Sequence, residues 1–499
     1  MASIIQLENR ETEEETNGSL RKELLDEGDI VESEREEHFS DSVKDWEINI
    51  KNLINNQRCP NLSRPCCIYR AHVLRDVDCA AFTPKIISIG PLHRFQKHLK
   101  GMNETKIKCL HKFLEHAAKT ARLHEQQGLT SLEELLSFLG SKEIDHQIER
   151  ANDFSCLDNF LGILKSLEND IRGSYGENLN DIGSEEFVRL ILVDAAFIIE
   201  LFLGLHFQSY WDTFQPPTYL LVFIRNDLWL LENQLPFFVL EELYNSAFRF
   251  CPDIYPPFLE LSINVFKIYN DQNKESITFT GKVNHFTDLL RAFLLPSSGN
   301  FQDKEQNSIS ENQLLSLEQH LPSATHLHAA GVKFCATESK CLLDIKFSNG
   351  RLEIPSLHLW DETGIRFRNI IALEQYHYPQ ERIISDYFTL MDYLVDTSDD
   401  ADLLVGKKII KHWLGSSNEV ASLFNSLCVN ILKGLINPSF FHLIEELNKY
   451  HDQPWHSWKA ALRSQYFSTP WRSASTTAAI ILLVLTLAQT LLAAFSIRT

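Results

Sequence analysis

"DLWLLENQLPFFVLEELYN", residues 227–245, sets a carboxylate, two amides and a proline inside a run of leucines and phenylalanines. A helix running from near Tyr219 through Pro236 would drive the proline ring into the carbonyl of Glu232 and leave that group without its hydrogen bond, at a cost of about 3 kcal/mol. Leu235, preceding the proline, is also pushed out of the helical region. The stretch therefore predicts one helix ending near Asn233 and a second opening with Pro236 at its first position. Asn233 and Gln234 then stand where side-chain amides can satisfy freed backbone groups, and Glu232 is expected to pair with a cation such as Arg225 or to cap a neighbouring helix. A structural role is expected for all three, ahead of catalysis.

Outward from this break the pattern is mainly helical. Apolar residues recur at three and four over 107–123, 129–139, 187–207, 219–243, 284–295 and 406–428. The clear strand signal is "LLDIKFSNGRLEI", 342–354, where Leu343, Ile345 and Phe347 alternate before Asn349-Gly350, a favoured two-residue hairpin turn, and Leu352 and Ile354 resume the pattern. The fold class predicted is mainly α, a helical globular body in two lobes with a small β-hairpin element. The expected organisation is an acidic disordered tail over 1–47, an N-terminal helical lobe over 48–296, a polar linker over 297–318 and a C-terminal lobe over 319–465. One C-terminal transmembrane helix, 473–497, completes it.

That last segment, "SASTTAAIILLVLTLAQTLLAAFSI", carries no charge over a length sufficient to cross a hydrocarbon core of about 30 Å. Trp455, Trp458, Tyr466 and Trp471 precede it, as expected of an aromatic belt at the water–lipid boundary. The run 187–207 is almost as apolar but contains Arg189, Asp194 and Glu200, so it is assigned to the soluble core. Its two acids are expected to be paired or to cap a helix. Lys459, Arg463 and Arg472 lie before the 473–497 span and Arg498 after it, which places the body in the cytosol and leaves the sequons at Asn17, Asn61 and Asn103 unglycosylated.

Composition excludes several classes. The chain has 499 residues, 44% of them hydrophobic, and a formal charge of -20 with no basic stripe, which argues against nucleic acid as a partner. Residues 1–47 hold sixteen acidic against five basic side chains, a net of -11, and too little apolar surface to order themselves. The amino terminus lacks the basic start and apolar stretch of a secretory signal. The ten cysteines are scattered without a C-x-x-C spacing and are read as reduced packing residues.

Catalytic motifs are missing from the sequence. It contains no G-x-G, Walker A, G-x-S-x-G or H-E-x-x-H. E-x-x-H, the spacing of di-iron carboxylate bundles, occurs at Glu143 to His146 and at Glu374 to His377, about as often as chance allows in a chain so rich in Glu and His. No catalytic, cofactor-binding or metal-binding residues are assigned, and no cofactor is expected. The basic group His93, Arg94, Lys97, His98 and Lys100 could meet lipid headgroups but reads first as a solvated loop face.

The 227–245 run, with "FTPKIISIGPLH" (82–93), "AGVKF" (330–334), "IPSLHLWDETGIRFRNIIALEQ" (354–375), "MDYLVDTSDDADLL" (391–404) and "YFSTPWRSASTTAAIILLVLTLAQT" (466–490), resembles the plant family called domain of unknown function 247. The chain departs from the family pattern at Tyr69-Arg70-Ala71, Leu92, Asn103 and Ala195-Ala196. The resemblance covers roughly 45–499 and implies a plant membrane protein with a C-terminal anchor and no established activity. Some members are associated with self-incompatibility recognition in grasses, and no catalytic residue carries over.

The expected function is that of a single-pass membrane-anchored, non-enzymatic recognition or scaffold component acting through protein–protein interaction. Its expected partners are an unknown protein and, through the C-terminal helix, membrane lipid of the plasma membrane or an endomembrane; no small-molecule substrate is evident. The alternative is an enzyme with a metal-dependent or hydrolytic site.

Overall fold

The computed structural model describes residues 64–125, 146–207, 216–275, 281–296, 321–432, 436–453 and 470–496, all within the unit Arg64–Thr499. The acidic tail, the helix expected over 129–139, the linker at 297–318, Glu143 and the belt residues Trp455, Trp458 and Tyr466 lie outside the described residues. The side chain of His146 does too.

The fold is mainly helical. Three long helices, α1 (Asn103–Glu125), α2 (His146–Gly173) and α3 (Ser184–His206), pack on one another. In α3 buried residues occupy nearly every face from Phe187 to Gly204, which is why its sequence reads apolar all round. Its two acids are paired across the α1–α3 contact. Asp194 Oδ1 lies 2.5 Å from Lys106 Nζ, and Glu200 Oε1 lies 3.0 Å from His116 Nδ1.

The helix expected up to Asn233 stops earlier. Helix α4 is Thr218–Leu228, seven irregular residues follow, and α5 is Phe237–Phe248 with Pro236 as its N-cap, one place before the expected position. The break is wide because side chains from elsewhere occupy the backbone groups of 229–235, as described below. Phe237, the first helical residue, enters an aromatic cluster with Phe258 of α6 (Phe258–Val265) and Phe286 of α7 (Phe286–Leu294) at ring separations of 5.4 and 6.0 Å. Tilted and edge-to-face pairs of this kind add about 1 kcal/mol each beyond area burial.

After 321 come α8 (Ala324–Ala329) and β1 (Lys333–Thr337), then β2 (Lys346–Ser348) and β3 (Arg351–Pro355). Asn349 and Gly350 both have positive φ, +50° and +72°, so the turn is the one expected. The hairpin is shorter than the reading of 342–354: Leu342 and Leu343 form a turn, and β2 starts at Lys346. A strand absent from that reading, β1, runs parallel to β3 in register Phe334 to Leu352, giving sheet order β1-β3-β2.

β4 (Leu357–Leu359) pairs in parallel with β5 (Ile410–His412), and this corrects the helix expected over 406–428. The chain leaves α11 (Ser398–Gly406) through Lys408 at φ +62°, forms β5, and turns helical again only in α12 (Ser417–Leu427), where the Ser416 side chain accepts the Glu419 amide. Between β4 and α11 lie α9 (Thr363–His377) and α10 (Ile383–Leu394), and α13 (Pro438–His451) follows α12. α11 opens on a complete Thr397/Asp400 capping box. One core cluster includes residues from Cys67 to Leu447 and so draws on both sides of the 297–318 segment.

The C-terminal helix α14 spans Pro470–Ser496. Its continuously described side chains cover 474–490, fewer than the roughly 20 residues a span requires, and among the described residues no helix is long and apolar enough to cross a membrane.

Candidate functional site

Past Phe82, the end of a short 3-10 helix, the 82–93 segment is neither helix nor strand, and several of its amides are bonded by side chains from α3, α4 and the α4–α5 break. Asp227 accepts three of them, from Lys85 (2.9 Å), Ile86 (2.6 Å) and Ile87 (2.9 Å). Burial pushes its carboxyl above the usual range while the three amides pull it down. Asn233 Oδ1 accepts from Ile89 N at 2.7 Å, and its Nδ2 donates to the carbonyls of Ile87 and Asp227. Gly90 N donates to Asp194 at 2.8 Å, and Lys106 also donates to the Ser88 carbonyl. An irregular segment without a strand partner thus has backbone groups satisfied by side chains, as burial demands.

The break itself is closed in the same way. Gln234 Nε2 donates to the carbonyls of Leu228 (2.6 Å) and Leu230 (2.7 Å), groups orphaned where α4 ends, while its Oε1 accepts from Phe286 N. Asn369 of α9 accepts from Leu231 N, and Thr287 donates to the Trp229 carbonyl. Glu232 accepts from Ala71 N at 3.0 Å, next to the helical turn His72–Arg75, and pairs with Arg75 Nη1 at 2.6 Å. Its cation is therefore Arg75 and not Arg225. His93 Nε2 stands 3.4 Å from the same carboxylate. Burial opposes ionisation of Glu232, yet His93, the Ala71 amide and Arg75 outweigh it and hold the carboxyl below its usual range. Every side-chain polar atom of Glu232, Asn233 and Gln234 is engaged, so the three repair backbone and anchor a neighbouring turn.

Other candidates are engaged as well. His93 is 2% exposed, which corrects its reading as part of a solvated face, and Arg94 pairs with Asp181. Glu374 is bound by Arg291 Nε (3.0 Å), Ser385 N and Oγ (both 2.7 Å) and Ile384 N, whereas His377 meets Tyr69 and Asn284. Its E-x-x-H spacing is filled by structural partners. Among the described residues no group of three or more His, Cys, Asp or Glu is placed to hold a metal.

Two groupings had no signal in the sequence. Cys67 and Asp288 meet His285, whose Nε2 faces the Cys67 carbonyl at 3.0 Å and whose Nδ1 accepts the Asp288 amide. Burial pushes the Cys67 thiol up to about 12 and the His285 imidazole down to about 4. The imidazole thus meets the Cys67 backbone carbonyl, and each group is held by burial in its neutral form. The second is a cleft of about 250 Å3 between α4 and the start of α9, walled by Lys85, Phe223, Trp229, Asp361, Glu362 and Ile365. Three sequence segments meet there, none with a recognisable motif.

These interlocked segments define a class: a mainly helical protein in which segments distant in sequence hold one another's backbone in place. The chain belongs to the domain of unknown function 247 family, described as plant proteins of unknown function, whose model matches residues 68–485. It is similar to the UPF0481 protein At3g47200 of Arabidopsis thaliana, 26% identical over 86% of this chain and 87% of that one. It also resembles the putative UPF0481 protein At3g02645 of Arabidopsis thaliana, 26% identical over 36% of this chain and 34% of the other. No solved structure matches.

Proposed function

We propose that this protein is a single-pass membrane-anchored recognition or scaffold component that acts by binding another protein, with its body on the cytosolic side. The observation that carries the anchor is the surface of α14. Ile480, Ile481, Leu482, Leu483, Val484, Leu485 and Leu487 are each 52–71% exposed, and consecutive positions point around the whole helix. A helix that is apolar on every face needs either a protein core or lipid around it. Thr486 and Thr490 return their hydroxyls to the carbonyls of Leu482 and Thr486 at 2.7 and 2.8 Å, which is how such groups are satisfied where water is absent. The uncharged run 473–497 supplies the length.

Support for binding over catalysis comes from the motifs, whose polar atoms hold backbone. Carbonate extraction of membranes tests the anchor. The full chain is expected in the pellet and a chain truncated after Trp471 in the supernatant; a truncated chain that resists extraction rejects the proposed single span. Metal analysis of the purified protein separates the alternatives, since stoichiometric iron, manganese or zinc would favour an enzyme.

A further inference from the structure

We propose that the outer face of the β4–β5 pair rests on anionic lipid headgroups of the membrane that holds the chain. The proposal rests on the α14 anchor, which keeps a bilayer within reach of the body. Alternation along the two strands makes this face. Leu357, Leu359 and Ile410 turn inward and are buried, so His358 and Lys411, paired in the parallel register, point outward together. The Trp413 amide still bonds the Leu359 carbonyl, so the ladder carries the pattern two residues on, to Trp360 and Trp413. These are 42% and 54% exposed. Their rings stack at 3.7 Å with 10° between planes, and the His358 ring lies 5.9 Å from that of Trp413.

The core beneath is closed without the indoles, since Leu359, Ile409 and Ile410 are each at most 1% exposed. Exposed paired tryptophans suit the water–lipid boundary, where an amphipathic ring is wet on one edge and buried on the other.

Charge names the lipid. Residues 406–413 hold Lys407, Lys408 and Lys411 and no acid, in a chain of net charge -20. All three lysines are exposed, and none has an ion-pair partner among the described residues. The acids closest in sequence are turned to other partners. Asp402 Oδ1 accepts the Ser417 hydroxyl at 2.5 Å, Glu419 Oε2 accepts the Gly415 amide at 3.0 Å, and Asp361 and Glu362 line the α4–α9 cleft with Lys85. Lys408 also stands at φ +62°, its amide bonded to the Val405 carbonyl and that of Ile409 to Leu404, a helix-closing position that ordinarily takes glycine. Backbone strain of this kind is tolerated where the side chain is used. The tether then decides the occupant, because it holds the anionic lipid of a cytosolic leaflet at high effective concentration.

Hydroxyl-radical footprinting of the full chain in lipid nanodiscs, read by mass spectrometry at Trp360 and Trp413 against a dissolved dosimeter, tests the contact. Discs of phosphatidylcholine alone are compared with discs that also contain phosphatidylserine. Three lysines at an anionic surface favour contact on the order of a hundredfold, so oxidation of both tryptophans is expected to slow about threefold or more in the serine-lipid discs. High salt is expected to reverse the slowing. Lys407→Gln, Lys408→Gln and Lys411→Gln combined are expected to abolish it with thermal unfolding unchanged. A chain retained by neither disc rejects the anchor, and the proposal with it. A chain retained by both discs but oxidised at equal rates in them overturns the proposal alone, as does slowing that survives high salt or the triple variant.

Discussion

Gly90 and Gln234 meet backbone against backbone: a Cβ built on Gly90 would lie 2.5 Å from the Gln234 carbonyl oxygen. Gly90 also has φ +71°, and the same oxygen accepts the Tyr175 hydroxyl at 2.9 Å. The contact welds the 82–93 segment to the α4–α5 break. Gly90→Ala is therefore expected to destabilise the body by about 2 kcal/mol or more, from left-handed backbone strain plus a clash that neither carbonyl nor turn can escape. Tyr175→Phe removes one hydrogen bond and should cost about 1 kcal/mol. Denaturant unfolding of both variants checks the order; a Gly90→Ala cost below that of Tyr175→Phe would mean that the two segments are not rigidly joined.

Buried Glu232 and half-buried Arg75 form an ion pair with the Ala71 amide as third member. Removing one partner of a fully buried pair costs about 3–5 kcal/mol, and Arg75 keeps part of its side chain in water. Glu232→Gln keeps the shape and one acceptor, so its cost should fall at the low end of that range. The folded-state carboxyl is held below its unfolded value, so its contribution is present above pH ~4.5 and is lost as pH falls through the lower folded value. The gap in unfolding free energy between wild type and Glu232→Gln should accordingly narrow on acidification below pH ~4.5. Unchanged stability of the variant together with loss of a binding activity would assign the residue to recognition instead.

Two buried groups titrate against each other between pH 4 and 6.5. His285 is held neutral down to about 4, so the unfolded chain binds its proton first and stability falls as pH drops from 6.5 to 4. Burial raises the Asp386 carboxyl to about 6, so the folded chain binds that proton first and stability rises as pH drops from 6 to 3.8. Each contributes about 3 kcal/mol at most, and in the wild type they largely cancel. Asp386→Asn should expose the first trend, a stability that falls on acidification, and His285→Gln the second. Denaturation at pH 6.5 and 4.5 reads both slopes; variants with the same sign of slope would refute the assignment.

Local chemistry was legible in the sequence where one short segment decides the outcome. Asn349-Gly350 fixed the hairpin turn because both positions need positive φ, and Pro236 announced a helix break. The width of that break was not legible, because its cause is tertiary: Asn369 reaches Leu231 from 138 residues away and Thr287 reaches Trp229 from 58. β5 was hidden for a similar reason. Ile409, Ile410, Trp413 and Leu414 repeat at helical spacing, and only the pairing with β4 makes 410–412 a strand. The roles of Asn233 and Gln234 were legible as backbone repair, whereas Arg75, 157 residues from Glu232, carried no mark of its partnership. The cleft was invisible because Lys85, Trp229 and Asp361 become neighbours only in the fold.

Topology gives the last prediction. Lys459, Arg463 and Arg472 precede the 473–497 run and Arg498 follows it, so the flank richer in positive charge belongs to the body. If the body is cytosolic as proposed, the sequon at Asn103, at the exposed start of α1, is expected not to meet the glycosylation machinery, nor are those at Asn17 and Asn61. An acceptor sequon on a tag appended after Thr499 should be glycosylated in microsomes, while Asn17, Asn61 and Asn103 stay bare. Reversing the charge bias, with Lys459, Arg463 and Arg472 changed to Gln and lysines added to the tag, should reduce tag glycosylation. Endoglycosidase digestion reads both results as a mobility shift. Glycan on Asn103 of the unaltered chain would place the body outside the cytosol and make its cleft an extracellular one.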